Sequence, residues 1–246
     1  SKRQNFGGVG RDWAAGYTPL LTQYGRNISS EIQYGGMMHR DISSHQSTLK
    51  QILNVFSTNG RANIALVGEL GVGKTTTVYA FAEQILTGVE IPQSLRFNQI
   101  FLIDSSALIT NTKDSRQVEV LAARLINEAY RAKNTLLFFD DAMQLFGGNE
   151  GVDLSTSLLP VLKAGNVRML FSFTPNEWQK LSAVNTALTS VLNYQVIKET
   201  SEDETLRIVE DQILLIEHQY KCTFTMPAIN EAYRLASRYV RYQGQP

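Results

Sequence analysis

The chain has 246 residues, 23 basic against 23 acidic side chains, with 43% apolar and 19% charged residues. That is enough for a substantial core in one large or two small domains, and the balanced charge exerts no long-range pull on nucleic acid or anionic membrane. A single cysteine, Cys222, excludes an intrachain disulfide. No apolar run approaches the length of a membrane span and no signal-peptide pattern opens the chain, so the composition predicts a cytoplasmic protein.

Ser1 to Thr18 is rich in glycine and polar residues and reads as a flexible lead-in to what looks like a fragment of a longer protein. Apolar positions then recur at helical spacing from Leu20 to Ile32, stopped by Gly35-Gly36. A second amphipathic helix runs from Thr48 to Phe56, stopped at Asn59-Gly60. The apolar run Asn63–Val67 enters a glycine cluster, after which Thr75 to Leu86 is helical. Strand Gln99–Ile103, helix Gln117–Arg131, strand Leu136–Phe139, helix Leu154–Lys163 and strand Val167–Phe173 follow. Tyr194–Ile197 is the last predicted strand, before helices Glu202 to Tyr220 and Pro227 to Tyr242. Short, wholly apolar strands alternating with helices predict an α/β fold with a parallel sheet covered by helices on both faces.

The glycine cluster carries the sharpest chemistry. GELGVGKT (Gly68, Glu69, Leu70, Gly71, Val72, Gly73, Lys74, Thr75) satisfies G-x-x-x-x-G-K-[ST] between a predicted strand and a predicted helix. Glycines there let backbone N–H groups turn inward around phosphate oxygens, and the helix N-terminus adds partial positive charge. The phosphate-binding stretch is expected to run through Thr76, with Lys74 reaching the β- and γ-phosphates and the Thr75 hydroxyl ligating Mg²⁺. An ordinary glycine turn is the bland reading, and the strand–loop–helix context disfavours it.

LLFFDD (Leu136 to Asp141) is an apolar strand ending in two acids, at the sheet edge where ligands of parallel α/β folds gather. Asp140 is assigned to Mg²⁺, and Asp141 to polarising an attacking water. Without the phosphate loop, two solvated acids ending a strand would be the better reading. Thr174, just beyond the strand Met169–Phe173, is placed to hydrogen-bond a γ-phosphate or that water, although Thr174-Pro175-Asn176 reads equally as a turn. His39, His45 and His218 have no metal-ligand spacing with Cys222. Trp178 and the pair Phe138-Phe139 read as core. Arg234, Arg238 and Arg241, interleaved with Tyr233, Tyr239 and Tyr242, read as the solvated face of an amphipathic helix rather than a nucleic-acid surface.

Loop, acidic strand and polar strand end, in this order, resemble an AAA+ ATPase, and more closely the first ATPase module of the Clp-type unfoldase subunits. The resemblance spans Leu21 to Pro246 through LTQYGRNIS (Leu21–Ser29), IALVGELGVGKTT, IDSSALIT (Ile103–Thr110), LLPVLKAGNVRML (Leu158–Leu170), TPNEWQK (Thr174–Lys180), FTMPAINEA and SRYV. It implies an AAA+ large subdomain over 19–246 with the small helical lid missing, ATP or ADP with Mg²⁺ as cofactors, and Met37 to His45 near the adenine. It also implies assembly with itself or related AAA+ subunits in a ring, a hexamer in the full-length form, with a peptidase and protein substrates as partners.

Three departures from the family pattern bear on activity. Asp140-Asp141 stands where the family has Asp-Glu. No arginine occurs from Met169 to Leu206, although the family carries arginines that reach into the neighbour's site; Ser190 and Val191 stand in the matching stretch Ala187–Gln195. Lys113-Asp114-Ser115-Arg116 lacks the aromatic of the family's pore loop. The leading expectation is therefore an ATP·Mg-binding module of a Clp-like unfoldase with weak or partner-dependent hydrolysis. The competing readings are a non-catalytic, nucleotide-dependent assembly scaffold and an AAA+ DNA-replication initiator or loader.

Overall fold

The computed structural model describes residues 17–35, 46–58, 63–88, 90–112, 114–147, 152–198, 213, 217 and 221–243, the last of these with side chains as far as 235. The lead-in up to residue 16, the predicted adenine segment Met37 to His45, and the helix expected from Glu202 to Tyr220, apart from Ile213 and Glu217, lie outside the described residues. The chain packs as two compact units: Ser1–His39 with His45–Glu199, and Arg40–Ser44 with Thr200–Pro246.

In chain order the first unit contains α1 (Pro19–Tyr24), β1 (Arg26–Asn27), α2 (Ile28–Gly35), α3 (Gln46–Ser57), β2 (Asn63–Val67), α4 (Lys74–Thr87) and β3 (Gln99–Asp104). It continues with α5 (Ser105–Thr110), α6 (Ser115–Ala132), β4 (Thr135–Asp140), α7 (Ser155–Ala164), β5 (Arg168–Phe173), α8 (Pro175–Val184), α9 (Thr186–Thr189) and β6 (Asn193–Val196). The six strands form one sheet in the order β1-β3-β4-β5-β2-β6, parallel throughout except for the short edge strand β1. This is the predicted α/β architecture.

Strand periodicity explains why both faces are covered. Successive side chains of a strand point to opposite faces. Ala65, Val67, Phe101, Ile103, Leu137, Phe139, Met169 and Phe171 accordingly enter one core, which α6 and α7 cover with Leu125 and Leu158. Ile64, Leu66, Ile100, Leu102, Leu136, Phe138 and Leu170 enter the other, beneath Phe56 of α3 and Phe81 of α4. Wholly apolar strands are what a sheet buried on two sides requires.

The helix predicted from Leu20 to Ile32 is broken in the structure into α1, β1 and α2. Leu21 belongs to the first core and Ile28 and Ile32 to the second, so the segment must cross the sheet edge, which one straight helix cannot do. The crossing is at Gly25: a β-carbon there would lie 2.6 Å from Ile103 Cδ1 and 2.9 Å from the Leu21 carbonyl oxygen. Arg26 and Asn27 then pair with Leu102 and Phe101 of β3. The start of α1 is held by Glu128 of α6, whose carboxylate accepts from the backbone N–H of Leu21 (2.9 Å) and Leu20 (3.2 Å).

The second unit is described chiefly by α10 (Met226–Gln243), with Ile229 buried. Within that helix Arg234 pairs with Glu231 one turn earlier, both side chains exposed, as expected of a solvated face.

Candidate nucleotide site

The parallel sheet gathers the carboxyl ends of β2, β4 and β5 side by side, and the predicted residues lie there. β2 ends at Val67 and the chain turns at Gly68, whose N–H donates to the Phe173 carbonyl at the end of β5 (3.1 Å). Gly71 and Gly73 take φ of +79° and +96°, a left-handed backbone that side chains resist and that turns the loop into the first turn of α4. Lys74 opens α4, and its ammonium donates to the carbonyls of Gly68 (2.6 Å) and Glu69 (2.9 Å), folding over the loop. Val72 packs toward the second core, whereas Leu70 is 85% exposed at the mouth.

The loop floors an open cleft of about 500 Å³ whose lining includes Lys74, Thr75, Thr76, Asp140, Asp141, Ser172 and Thr174. Residues predicted from three separate segments are thus brought together. The Thr75 hydroxyl donates to Asp140 Oδ2 (3.1 Å), joining the two predicted Mg²⁺ ligands. A hydroxyl and a carboxylate at the end of a phosphate loop form the small oxygen donor set that Mg²⁺ uses alongside its waters and substrate phosphates. Among the described residues no cluster of three or more acidic, histidine or cysteine side chains forms a self-sufficient metal cage. Burial holds the Lys74 ammonium below the ordinary lysine range, opposed by the pull of Asp140, Glu177, Glu69 and Asp141.

Asp141 follows β4 in a left-handed conformation (φ 51°, ψ 48°), uncommon for a residue other than glycine although aspartate is among those that tolerate it. Its Oδ2 accepts from the Ser106 hydroxyl of α5 (3.0 Å). Thr174 begins a helix rather than a turn. It is the N-cap of α8: its side chain accepts from Glu177 N–H (3.3 Å) while Glu177 returns a carboxylate to Thr174 N–H (2.7 Å), with Pro175 in the first turn. Its oxygen therefore has a structural duty while still lining the cleft.

Sequence reading missed Ser172 and Glu177. Ser172 is 2% exposed and sits between Asp140, to whose Oδ1 it donates (2.6 Å), and the N–H of Asp141, from which it accepts (2.8 Å). The signal was present: one serine interrupts the apolar run Met169–Phe173. Glu177 was readable as the third residue after Thr174 in a capping box. The altered stretches also have ordinary structural roles. Asp114 caps α6 through the Gln117 N–H (2.8 Å), and the Ser190 hydroxyl donates to the Ala187 carbonyl (2.8 Å). Among the described residues no helix is long and apolar enough to cross a membrane.

Residues 64–194 match the family model of ATPases associated with various cellular activities (AAA). The chain is 28% identical to chaperone protein ClpB 2 of Parasynechococcus marenigrum over 222 residues, covering 89% of this chain and 24% of that protein. It is 26% identical to the negative regulator of genetic competence ClpC/MecB of Bacillus subtilis over 226 residues, covering 91% and 28%. It therefore spans about a quarter of the length of these curated relatives. Its fold matches the Hsp104–ADP complex of S. cerevisiae with a TM-score of 0.77 at 22% identity, covering 89% of this chain and 38% of that one. The Hsp104–casein complex of the same organism gives 0.76 at 23%. The chain belongs to the AAA family of ATPases, a family of nucleotide-binding proteins, and is similar along most of its length to Clp-type modules.

Proposed function

We propose that this chain is an ATP·Mg-binding module of a Clp-like cytoplasmic chaperone or unfoldase, in which hydrolysis is slow unless a partner completes the site. The observation that carries the reading is the convergence of Lys74, Thr75 and Asp140, from the start of one helix and the end of a strand, over a loop of left-handed glycines in one cleft.

In this reading the loop 68–76 (Gly68, Glu69, Leu70, Gly71, Val72, Gly73, Lys74, Thr75 and Thr76) binds the phosphates of ATP or ADP, the N–H groups of Gly68 and Val72 being held by the carbonyls of Phe173 and Glu69. Lys74 exchanges its two loop carbonyls for β- and γ-phosphate oxygens. Thr75 and Asp140 hold Mg²⁺, which when bound offsets charge on the phosphates. Asp141 orients the attacking water and accepts its proton, and Thr174 donates its hydroxyl hydrogen to the γ-phosphate or the water, its oxygen remaining occupied by the cap.

Two features support slow turnover. Asp141 is one methylene shorter than glutamate and is already engaged by Ser106. No arginine is available between Met169 and Leu206 to enter a neighbouring protomer's site. An arginine supplied in this way is worth ~10³–10⁵ in rate where it is used. We infer that the module assembles with itself or with related AAA+ subunits in a ring, a hexamer in the full-length protein, and acts there on protein substrates, with or without a peptidase. The same features favour a second reading, a nucleotide-dependent assembly scaffold. Steady-state ATPase of the full-length protein, alone and mixed with an arginine-bearing Clp-type subunit whose own phosphate-loop lysine is removed, separates them. Stimulation by the mixture supports the partner-completed ATPase. With any second ATPase site outside this chain disabled, nucleotide-dependent assembly with no hydrolysis in either case supports the scaffold, and fast turnover by the protein alone refutes both.

A further inference from the structure

Ser172 is the one hydroxyl on the central strand β5, whose other residues after Arg168 are apolar, and it is buried at the seam between β4 and β5. Parallel pairing of Phe139 with Phe171 sets the next residues of the two strands, Asp140 and Ser172, beside each other as the sheet ends. The Ser172 hydroxyl hydrogen goes to Asp140 Oδ1 (2.6 Å) and its oxygen receives the N–H of Asp141 (2.8 Å), so both its donor and acceptor functions are used on the acidic pair. Asp140 Oδ1 also receives the Asp141 N–H at 3.2 Å, whereas Oδ2 faces the Thr75 hydroxyl in the cleft.

We propose that Ser172 is a positioning residue for cation binding: it fixes the Asp140 carboxylate with Oδ1 turned inward and Oδ2 presented beside Thr75, and it pins the left-handed backbone of Asp141. The inference rests on the nucleotide-binding reading of this cleft. The physical reason lies in the freedom of a carboxylate. A lone aspartate at a strand end rotates about its side-chain torsions and, when ionised, accepts at either oxygen. A short charge-assisted O–H···O bond from a buried hydroxyl removes that freedom before the cation arrives, as outer-shell partners of metal-binding carboxylates do. Asp141 gains as well, because a non-glycine residue at φ 51° is held there by an N–H bond to a rigid strand.

The test compares Ser172→Ala with the wild type in the full chain, with two readouts. The first is the affinity for a fluorescent ADP analogue, in EDTA and in excess Mg²⁺. The second is binding of Mn²⁺ to the protein·ADP complex by electron paramagnetic resonance. The expected result is unchanged affinity in EDTA, loss of the Mg²⁺-dependent gain, and Mn²⁺ affinity lower by about 10- to 100-fold. Ser172→Thr, which keeps a hydroxyl on the same carbon, should restore the gain. Ser172→Cys, a weaker donor of similar size, should lie between and carries the test if the alanine variant does not fold. An intact Mg²⁺ gain and Mn²⁺ affinity in a folded Ser172→Ala or Ser172→Cys variant overturns the inference and leaves the nucleotide reading standing. Equal losses with and without cation also overturn it, since they mark a purely structural role. No binding by the wild type in either condition removes the nucleotide reading itself.

Discussion

Replacing Lys74 by alanine removes the one mobile cation of the phosphate loop. In the structure the ammonium reaches two loop carbonyls at 2.6 and 2.9 Å, so the same reach brings it to about 3 Å from a phosphate oxygen lying on the loop. At an effective dielectric of about 20, unit charges at ~3 Å attract by ~5 kcal/mol. The exchange gives up two existing hydrogen bonds, which reduces the net loss on mutation to about 2–4 kcal/mol, or roughly 30- to 700-fold in Kd. The fold should survive, because Lys74 bridges only two loop carbonyls at a helix start and belongs to neither core. Burial lowers the Lys74 pKa, so the unfolded chain binds more protons than the folded one between the folded and ordinary lysine pKa values. Nucleotide-free stability therefore rises with pH across that window, while affinity for phosphate falls as the ammonium deprotonates. Isothermal titration with ADP and with ATP·Mg²⁺ measures the affinity, and thermal melting checks the fold. Equal affinities for a folded Lys74→Ala and the wild type would refute the argument.

Two more substitutions address the reacting end of the cleft. Asp141→Glu should raise single-turnover hydrolysis by on the order of 10²-fold, since it advances the carboxylate by about 1 Å, while Asp141→Asn should lower it only modestly. Quench-flow at saturating ATP·Mg²⁺ decides this, and a full loss in Asp141→Asn with no gain in Asp141→Glu would show that the shorter acid is already well placed. Thr174→Ala removes the N-cap of α8 and should cost about 0.5–2 kcal/mol of stability in chemical denaturation, whereas Thr174→Ser should retain both cap and turnover. A serine variant as impaired as alanine would contradict the dual role assigned to that hydroxyl.

The site was legible where chemistry is local. A phosphate loop is a contiguous string of residues with one backbone geometry, so GELGVGKT could be read without knowing the fold, and β2 spans the predicted 63–67. Asp140 was legible because an apolar strand ending in an acid is also a local pattern. Ser172 was not, because its meaning depends on which strand lies next to β4, and strand order is a long-range property that periodicity does not contain. The break at Gly25 was missed for a related reason. Leu20 to Ile32 has genuine helical spacing, but its apolar residues serve opposite faces of the sheet, and only the close approach to Ile103 shows where the chain must cross. The capping duty of Thr174 went unread because it depends on Glu177, three residues on.

The strand order has a consequence for how the protein is made. β5 lies between β2 and β4, yet it follows both in the chain. As the polypeptide leaves the ribosome, the central slot of the sheet stays vacant until residues 168–173 emerge, with the apolar flanks of two earlier strands waiting on either side. Pairings this distant in sequence are slow to close and expose sticky surface meanwhile. The strand that fills this slot also brings Ser172 to the acids and Phe173 to Gly68, so the cleft takes shape only once the centre of the sheet is occupied. A nascent chain interrupted before that point has the full phosphate-loop sequence but lacks the wall of the cleft that Ser172, Phe173 and Thr174 supply.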